Sequence, residues 1–270
     1  MKIIAFDLDD TLAPSKTRLP DAMVSLLTEL LSRIDVCIIS GGRFEQFEKQ
    51  VLAPLATSPD LGRLHIMPTC GTQYYRWSKA GQGGTWVQQY AENLSDREKQ
   101  QALTVVEAGA RELGLWESQT WGPVLEDRGS QITFSALGQA APVDIKAAWD
   151  PDGAKKSLLQ QYAAARLPDL EVRSGGSTSV DITRKGIDKS YGINQLMVAL
   201  DLELADLLFV GDRLDEGGND YPVKAMGVES VAVHGWEDTA RYLTTLLETL
   251  SPQPALAPTS VNASGQGGMR

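Results

Sequence analysis

Ile3-Ile4-Ala5-Phe6 is an unbroken apolar run that ends in Asp7-Leu8-Asp9-Asp10. A run apolar at every position is buried on both faces, as a central strand of a parallel sheet covered by helices would be. Three carboxylates at its end repel one another and resist desolvation unless a cation or a reaction occupies the space between them. In open parallel α/β sheets, that end of the strand is also where ligands bind. The N-terminus therefore predicts a fold class and a candidate active site together.

The same grammar continues at both ends of the chain. Residues 21–33 carry Met23, Leu26, Leu27, Leu30 and Leu31 at helical spacing. Residues 36–39 form a second apolar strand ending in Ser40-Gly41-Gly42-Arg43, and residues 44–52 a helix stopped before Pro54. A third strand falls at 64–67. Late in the chain come a helix at 187–200, strands at 207–210 and 230–233, and an amphipathic helix at 236–250. Strands alternating with helices imply a doubly wound parallel sheet with right-handed crossovers.

The middle follows another pattern. Residues 74–77 and 86–90 flank a glycine-rich turn as a hairpin does. Ser95 and Glu98 have capping-box spacing. Residues 131–137 alternate like a strand, and a second hairpin is expected around Gly175-Gly176. The expectation is an α/β, Rossmann-like core of residues 1–78 and 185–250 with an α+β cap of residues 79–184 inserted into it. Residues 251–270, rich in Pro, Ser, Gly and Ala, have too little apolar surface to offset ordering entropy and are expected to be a disordered tail.

With 270 residues and 42% hydrophobic content the chain can bury a sizeable core. Its formal net charge of −10 argues against a broad nucleic-acid surface. Two lone cysteines, Cys37 and Cys70, fit a reducing compartment, and no run of 18 apolar residues or signal-peptide layout is present. A cytoplasmic protein without nucleic-acid or membrane partners, monomeric or homodimeric, is expected. His65 and His234 read as structural.

Four features carry chemistry. A carboxylate such as Asp7 can attack phosphorus, and Asp9 two residues on can move the proton that the leaving oxygen requires. Ser40 and the backbone of Gly41 at a strand-to-helix turn can hold phosphoryl oxygens. Lys189 at a helix start opposes the macrodipole preference and suggests an anionic partner. Residues 211–220 hold four acids and three glycines after a buried strand, a donor set suited to a hard divalent cation such as Mg²⁺.

In this order the four features resemble the motifs of the haloacid dehalogenase-like superfamily, and an αβ cap between the second and third resembles its subgroup of sugar phosphatases and eukaryotic-type phosphomannomutases. The resemblance implies Asp7 as nucleophile, Asp9 as acid/base, and Ser40 and Lys189 on the phosphoryl group, with Thr11 and Gly41 beside them. It implies Mg²⁺ held by Asp7, the Asp9 carbonyl and Asp212, supported by Asp215 and Asp220. Arg43, Arg128, Gln139, Lys146, Ser179 and Asp181 become candidate contacts to a small phosphorylated substrate. Phosphomannomutase is the nearest likeness within the subgroup, through Gly217-Gly218-Asn219-Asp220-Tyr221 and Ser179-Val180-Asp181.

The chain departs from that likeness at Gln139 and Lys146, where the resemblance implies arginines that grip the distant phosphate, and at Cys70, where it implies asparagine. Gln is neutral and Lys lacks the bidentate fork of Arg. A mutase suffers more from such a loss than a hydrolase. The expected activity is therefore Mg²⁺-dependent hydrolysis of a sugar phosphate, the alternatives being a phosphomannomutase and a catalytically silent phosphate-binding protein.

Overall fold

In chain order the strands are β1 (Ile3–Phe6), β2 (Asp35–Ile39), β3 (Leu64–Met67), β4 (Gln73–Ala80), β5 (Gly83–Ala91), β6 (Leu125–Asp127), β7 (Ile132–Ser135), β8 (Leu170–Ser174), β9 (Ser179–Arg184), β10 (Leu207–Gly211) and β11 (Glu229–Ala232). The helices are α1 (Asp21–Leu31), α2 (Phe44–Phe47), α3 (Ala53–Leu55), α4 (Asp96–Glu112), α5 (Val143–Trp149), α6 (Ala154–Ala164), α7 (Lys189–Leu200), α8 (Tyr221–Ala225) and α9 (Trp236–Thr249). The structure, a computed structural model, describes residues 1–80 and 83–250. The expected tail at 251–270 lies outside the described residues.

One sheet has seven strands in the order β11-β10-β1-β2-β3-β4-β5. β1 runs parallel to both β10 and β2, with Phe6 opposite Val210 and Ile38. All four β1 residues are buried because the alternating side chains meet helices on both faces. Ile4 and Phe6 pack with Met23, Leu27 and Leu30 of α1 and Leu243 and Leu247 of α9. Ile3 and Ala5 pack with Ile193 and Leu196 of α7. Full burial of a large aliphatic side chain contributes roughly 1.5–3 kcal/mol, so the central strands are the most firmly held.

A second sheet, β6-β7-β9-β8, is antiparallel and carries its own apolar cluster, with Val106 of α4, Leu159 of α6, Phe134 and Ile182 at its centre. The chain is an α/β protein with a Rossmann-like core and a cap. The expected edge between 78 and 79 cuts through β4. β4 pairs antiparallel with β3, His65 opposite Arg76, so the β4–β5 hairpin extends the core sheet instead of opening the cap. Phe44 stacks on Tyr75 at 3.9 Å, tying the hairpin to the helix after β2.

That helix also differs from expectation, since it continues past Pro54. After α2 the turn widens to π geometry at Glu48–Leu52 and then tightens into α3. Proline lacks the N–H that would bond the carbonyl four residues back. The carbonyl so released, that of Gln50, accepts from the Leu19 N–H at 2.9 Å.

Candidate active site

Because β10, β1 and β2 are in parallel register, the residues that follow them arrive side by side: Asp212, Asp7 and Ser40. Asp7 leaves the strand with its N–H still bonded to the Val210 carbonyl at 3.0 Å. Lys189 comes from below, as the first residue of α7. Asp188 caps that helix by accepting from the Ser190 and Tyr191 N–H groups, which satisfies otherwise orphaned donors. α7 approaches the turn at residues 69–71 backbone to backbone: a Cβ on Gly71 would lie 2.3 Å from the Gly192 Cα. Only a glycine pair permits this approach, and Gly71 also holds φ +83°. The result is a buried ammonium between two buried carboxylates. Lys189 is 1% exposed, touching Asp7 and lying 2.5 Å from Asp220.

Asp220 reaches the site because Gly211 has no side chain, a Cβ there being 2.4 Å from its Oδ2. Its other hydrogen bond is from the Arg213 N–H, at 3.1 Å. Burial pushes the Asp7 carboxyl up to about 8, with Lys189 opposing and Asp220 reinforcing the shift. Burial and Asp220 also raise Asp212. On Lys189, burial is outweighed by Asp7 and Asp220, and the ammonium is held above its ordinary range.

One oxygen each from Asp7, Asp212 and Asp220 lie within 4.8 Å of one another. Three carboxylates against one ammonium leave an excess of negative charge on hard oxygen donors. That set fits a small divalent cation, Mg²⁺ above softer metals.

Asp9 stands apart from this group. Its carboxylate accepts from the Lys16 N–H at 2.7 Å and Lys16 Nζ at 2.5 Å, and from Gln46 and Gln50 at 3.3 and 3.4 Å. Burial would raise Asp9, but the charge and hydrogen bonds of Lys16 outweigh it and hold the acid below its usual value. Lys16, Gln46 and Gln50 escaped the sequence reading. Lys16 occupies a left-handed position (φ 60°) in a loop, a conformation that no spacing rule announces.

Three expected contacts fall elsewhere. Thr11 is fully buried beneath the site and donates to Asp212 at 3.4 Å, so it braces an acid and does not line the cavity. Asp215 is exposed and pairs with Arg213 at 3.2 Å, because the turn at Gly217 and Gly218 folds it outward and returns only Asp220. Arg43 is exposed at the head of α2 and pairs with Glu45 at 3.6 Å, outside the cavity lining. Ser40 and Gly41 do line it.

Core and cap enclose a cavity of about 820 Å³, within the usual size range of small-molecule sites. Arg128, Gln139, Lys146, Ser179 and Asp181 all line its cap wall. Arg128 pairs with Glu126 at 2.6 Å and reaches across to the Gly41 carbonyl at 3.0 Å. Gln139 donates to Ser135 at 2.5 Å, and Lys146 Nζ donates to the Gln139 carbonyl at 2.6 Å. Burial, aided by Lys16, lowers Lys146. Ser179 shares a hydrogen bond with Ser135 at 3.0 Å, and Asp181 accepts from Thr133 at 2.8 Å. A knot of buried hydroxyls joins core to cap: Ser130 lies 2.5 Å from Thr72 and 3.0 Å from Thr69. Cys70 lines the cavity as a protonated thiol, burial pushing it up to about 12.

A buried carboxylate at a central strand end, locked to a lysine from the far side of an inserted cap, accords with an enzyme of phosphoryl transfer with the haloacid dehalogenase-like fold. The model of the eukaryotic phosphomannomutase family matches residues 23–249, and the chain belongs to that family. A phosphomannomutase of Encephalitozoon cuniculi is 24% identical over 88% of this chain and 91% of its own length. A probable phosphomannomutase of Caenorhabditis elegans is 22% identical over 92% and 96%. Among solved structures, a C-terminally truncated IMP-nucleotidase of Plasmodium falciparum shares the fold with a TM-score of 0.65 at 14% identity, over 92% of this chain and 71% of that one. A haloacid dehalogenase-like hydrolase from Bacteroides thetaiotaomicron does so at 0.59 and 16%, over 91% and 99%. Among the described residues no helix is long and apolar enough to cross a membrane.

Proposed function

We propose that the chain is a Mg²⁺-dependent phosphatase of a small phosphorylated sugar, working through an aspartyl-phosphate on Asp7. The Asp7 carboxylate attacks phosphorus, the bond from phosphorus to the sugar oxygen breaks, and that oxygen takes a proton from Asp9. Asp9 then takes a proton from water as the water oxygen attacks phosphorus, and the Asp7 carboxylate leaves. Lys16 holds Asp9 ionised, the form that receives a proton, so before donating to the sugar oxygen Asp9 must take up a proton from solvent as the substrate displaces the Lys16 contact. Lys189 orients Asp7 and offsets phosphoryl charge, aided by the Ser40 hydroxyl and Gly41. Asp7, Asp212 and Asp220 would hold Mg²⁺, which when bound neutralises charge on the phosphoryl oxygens.

The observation that carries hydrolysis over mutase action is the use of Gln139 and Lys146. Where the resemblance implies two arginines, the Gln139 amide is bonded to Ser135 and Lys146 to the Gln139 backbone. Neither offers a fork for a bisphosphate that must be held both ways round. Mutase action is the second reading, and the family and the relatives named phosphomannomutase favour it. We further propose that residues 92–184 form the cap, which admits substrate by moving against the core.

The test gives the protein Mg²⁺ with mannose 1- and 6-phosphates and an aryl phosphate, and measures phosphate release and isomer formation together. Phosphate release lost in Asp7→Asn is the expected result. Isomer formation dependent on a hexose bisphosphate makes the mutase reading the correct one, and no turnover of any substrate defeats both.

A further inference from the structure

Helix α9 carries four threonines, and three of them spend their hydroxyls on their own helix. Thr244 and Thr245 donate to the carbonyls of Ala240 and Arg241, and Thr249 to that of Leu246. Such back-bonding is the ordinary habit of a helical threonine. Thr239 departs from it. Its Oγ1 donates to the Thr11 carbonyl at 2.6 Å, across 228 residues of sequence. Both residues are fully buried, each at 0% exposure.

Thr11 belongs to the loop that follows β1, and the backbone bonds of that loop are local. The Leu12 N–H donates to the Leu8 carbonyl at 2.9 Å, and the Asp10 N–H to the Ala13 carbonyl at 2.8 Å. The winding is tight enough to hold Asp10 in the left-handed region, at φ 60°. No backbone N–H among the described residues donates to the Thr11 carbonyl. Loss of the Thr239 hydroxyl would strip a buried acceptor of that partner, and the loop would have to shift to find another. Thr11 is held at its other end too, its own hydroxyl donating to Asp212 at 3.4 Å. Asp212 is one of the three carboxylates gathered at the candidate cation site. A line of hydrogen bonds therefore runs from α9 through Thr11 to that site.

We propose that Thr239 is a positioning residue for the divalent cation, acting through Thr11 on Asp212. It touches neither substrate nor metal. The proposal rests on the reading that Asp7, Asp212 and Asp220 hold Mg²⁺, and is indifferent to whether the substrate is hydrolysed or isomerised. A carboxylate held from behind keeps its oxygen where the cation needs it, and one left free spends part of its time elsewhere. Removing such an outer partner weakens metal binding by about 10- to 100-fold.

The test is calorimetric titration of Mg²⁺ into the full-length, substrate-free protein. Thr239→Val keeps the side-chain shape and deletes the donor, and should bind Mg²⁺ about tenfold more weakly than wild type. Thr239→Ser restores the donor and should bind within about twofold of wild type. Ser130→Ala deletes a buried hydroxyl of the core–cap knot, away from the three carboxylates. It should melt lower yet also bind within about twofold, which separates positioning from general loss of stability. Thr11→Val should weaken binding as Thr239→Val does, and the double variant by no more than about twofold further, since both act along one line. If circular dichroism shows Thr239→Val unfolded, Thr239→Ala takes its place. Wild-type affinity in the Thr239 variant, a loss that Thr239→Ser does not restore, an equal loss in Ser130→Ala, or losses that add in the double variant overturn the proposal. Failure of the cation reading shows separately, as absence of Mg²⁺ binding by the wild-type protein, and defeats the proposal with it.

Discussion

The floor and the cap wall of the cavity are built by opposite rules. On the floor, Asp7, Lys189 and Asp220 are almost without solvent contact and satisfy one another. On the wall, Arg128, Gln139, Lys146 and Lys156 reach partners through long side chains, several of them backbone carbonyls. Buried charges tolerate no vacancy, since removing one partner strands the other in a low dielectric. Arg128, paired with the buried Glu126, shares that constraint, whereas Gln139, Lys146 and Lys156 carry no ion pair among the described residues and can be exchanged at less structural cost. On the proposed reading, reaction chemistry sits where substitution is most damaging and substrate choice where it is less so.

The comparison can be broken at its strongest point first. Asp7→Asn should lower kcat by a factor on the order of 10⁴, read by hydrolysis of an aryl phosphate. Lys189→Met keeps the volume but leaves Asp7 and Asp220 facing each other, and should cost about 3–5 kcal/mol in denaturant titration as well as activity. If Lys189→Met melts like the wild type, the floor is not the interlocked unit described here.

Between floor and wall, Ser130→Ala removes one member of the hydroxyl knot and should cost about 1–3 kcal/mol by thermal melt, because Thr69 and Thr72 lose a buried partner. On the wall, Gln139→Arg with Lys146→Arg should raise isomer formation relative to phosphate release by about tenfold, with unchanged melting. An unaltered ratio would show that those positions do not decide between hydrolysis and isomer formation.

The smallest effect lies where the chain crosses between core and cap. Hydrogen bonds from Arg184, then Ser95, hold Glu98 down to about 2, from an ordinary 4.5. A depressed acid contributes stability above its unfolded value and loses it as pH falls through the folded one. The stability difference between wild type and Glu98→Gln should therefore be full at pH 6 and vanish between about 4.5 and 2, followed by urea titration at each pH.

The parallel core was readable from apolar runs with carboxylates at their ends, because complete burial leaves no alternation to confuse the strand with another kind. Asp7, Ser40, Lys189 and Asp212 were readable as strand-end and helix-start residues for the same reason. The hairpin was recognised but placed in the cap, since pairing of β4 with β3 depends on which sheet edge is free and not on local pattern. Thr11 and Asp215 are expected in the site from the motif resemblance, and Arg43 as a candidate substrate contact. A turn as short as Gly217-Gly218 decides which of two neighbouring acids faces inward, and motif spacing does not carry that.

The chain by itself determined that carboxylates end a buried strand and that a lysine opens a later helix. Only tertiary structure decided that 182 residues of separation close to a direct Asp7–Lys189 contact and that Lys16 holds Asp9. The reason is physical. Burial on both faces is written locally in composition, whereas the partner of a charge is set by whichever group the packed backbone brings within reach.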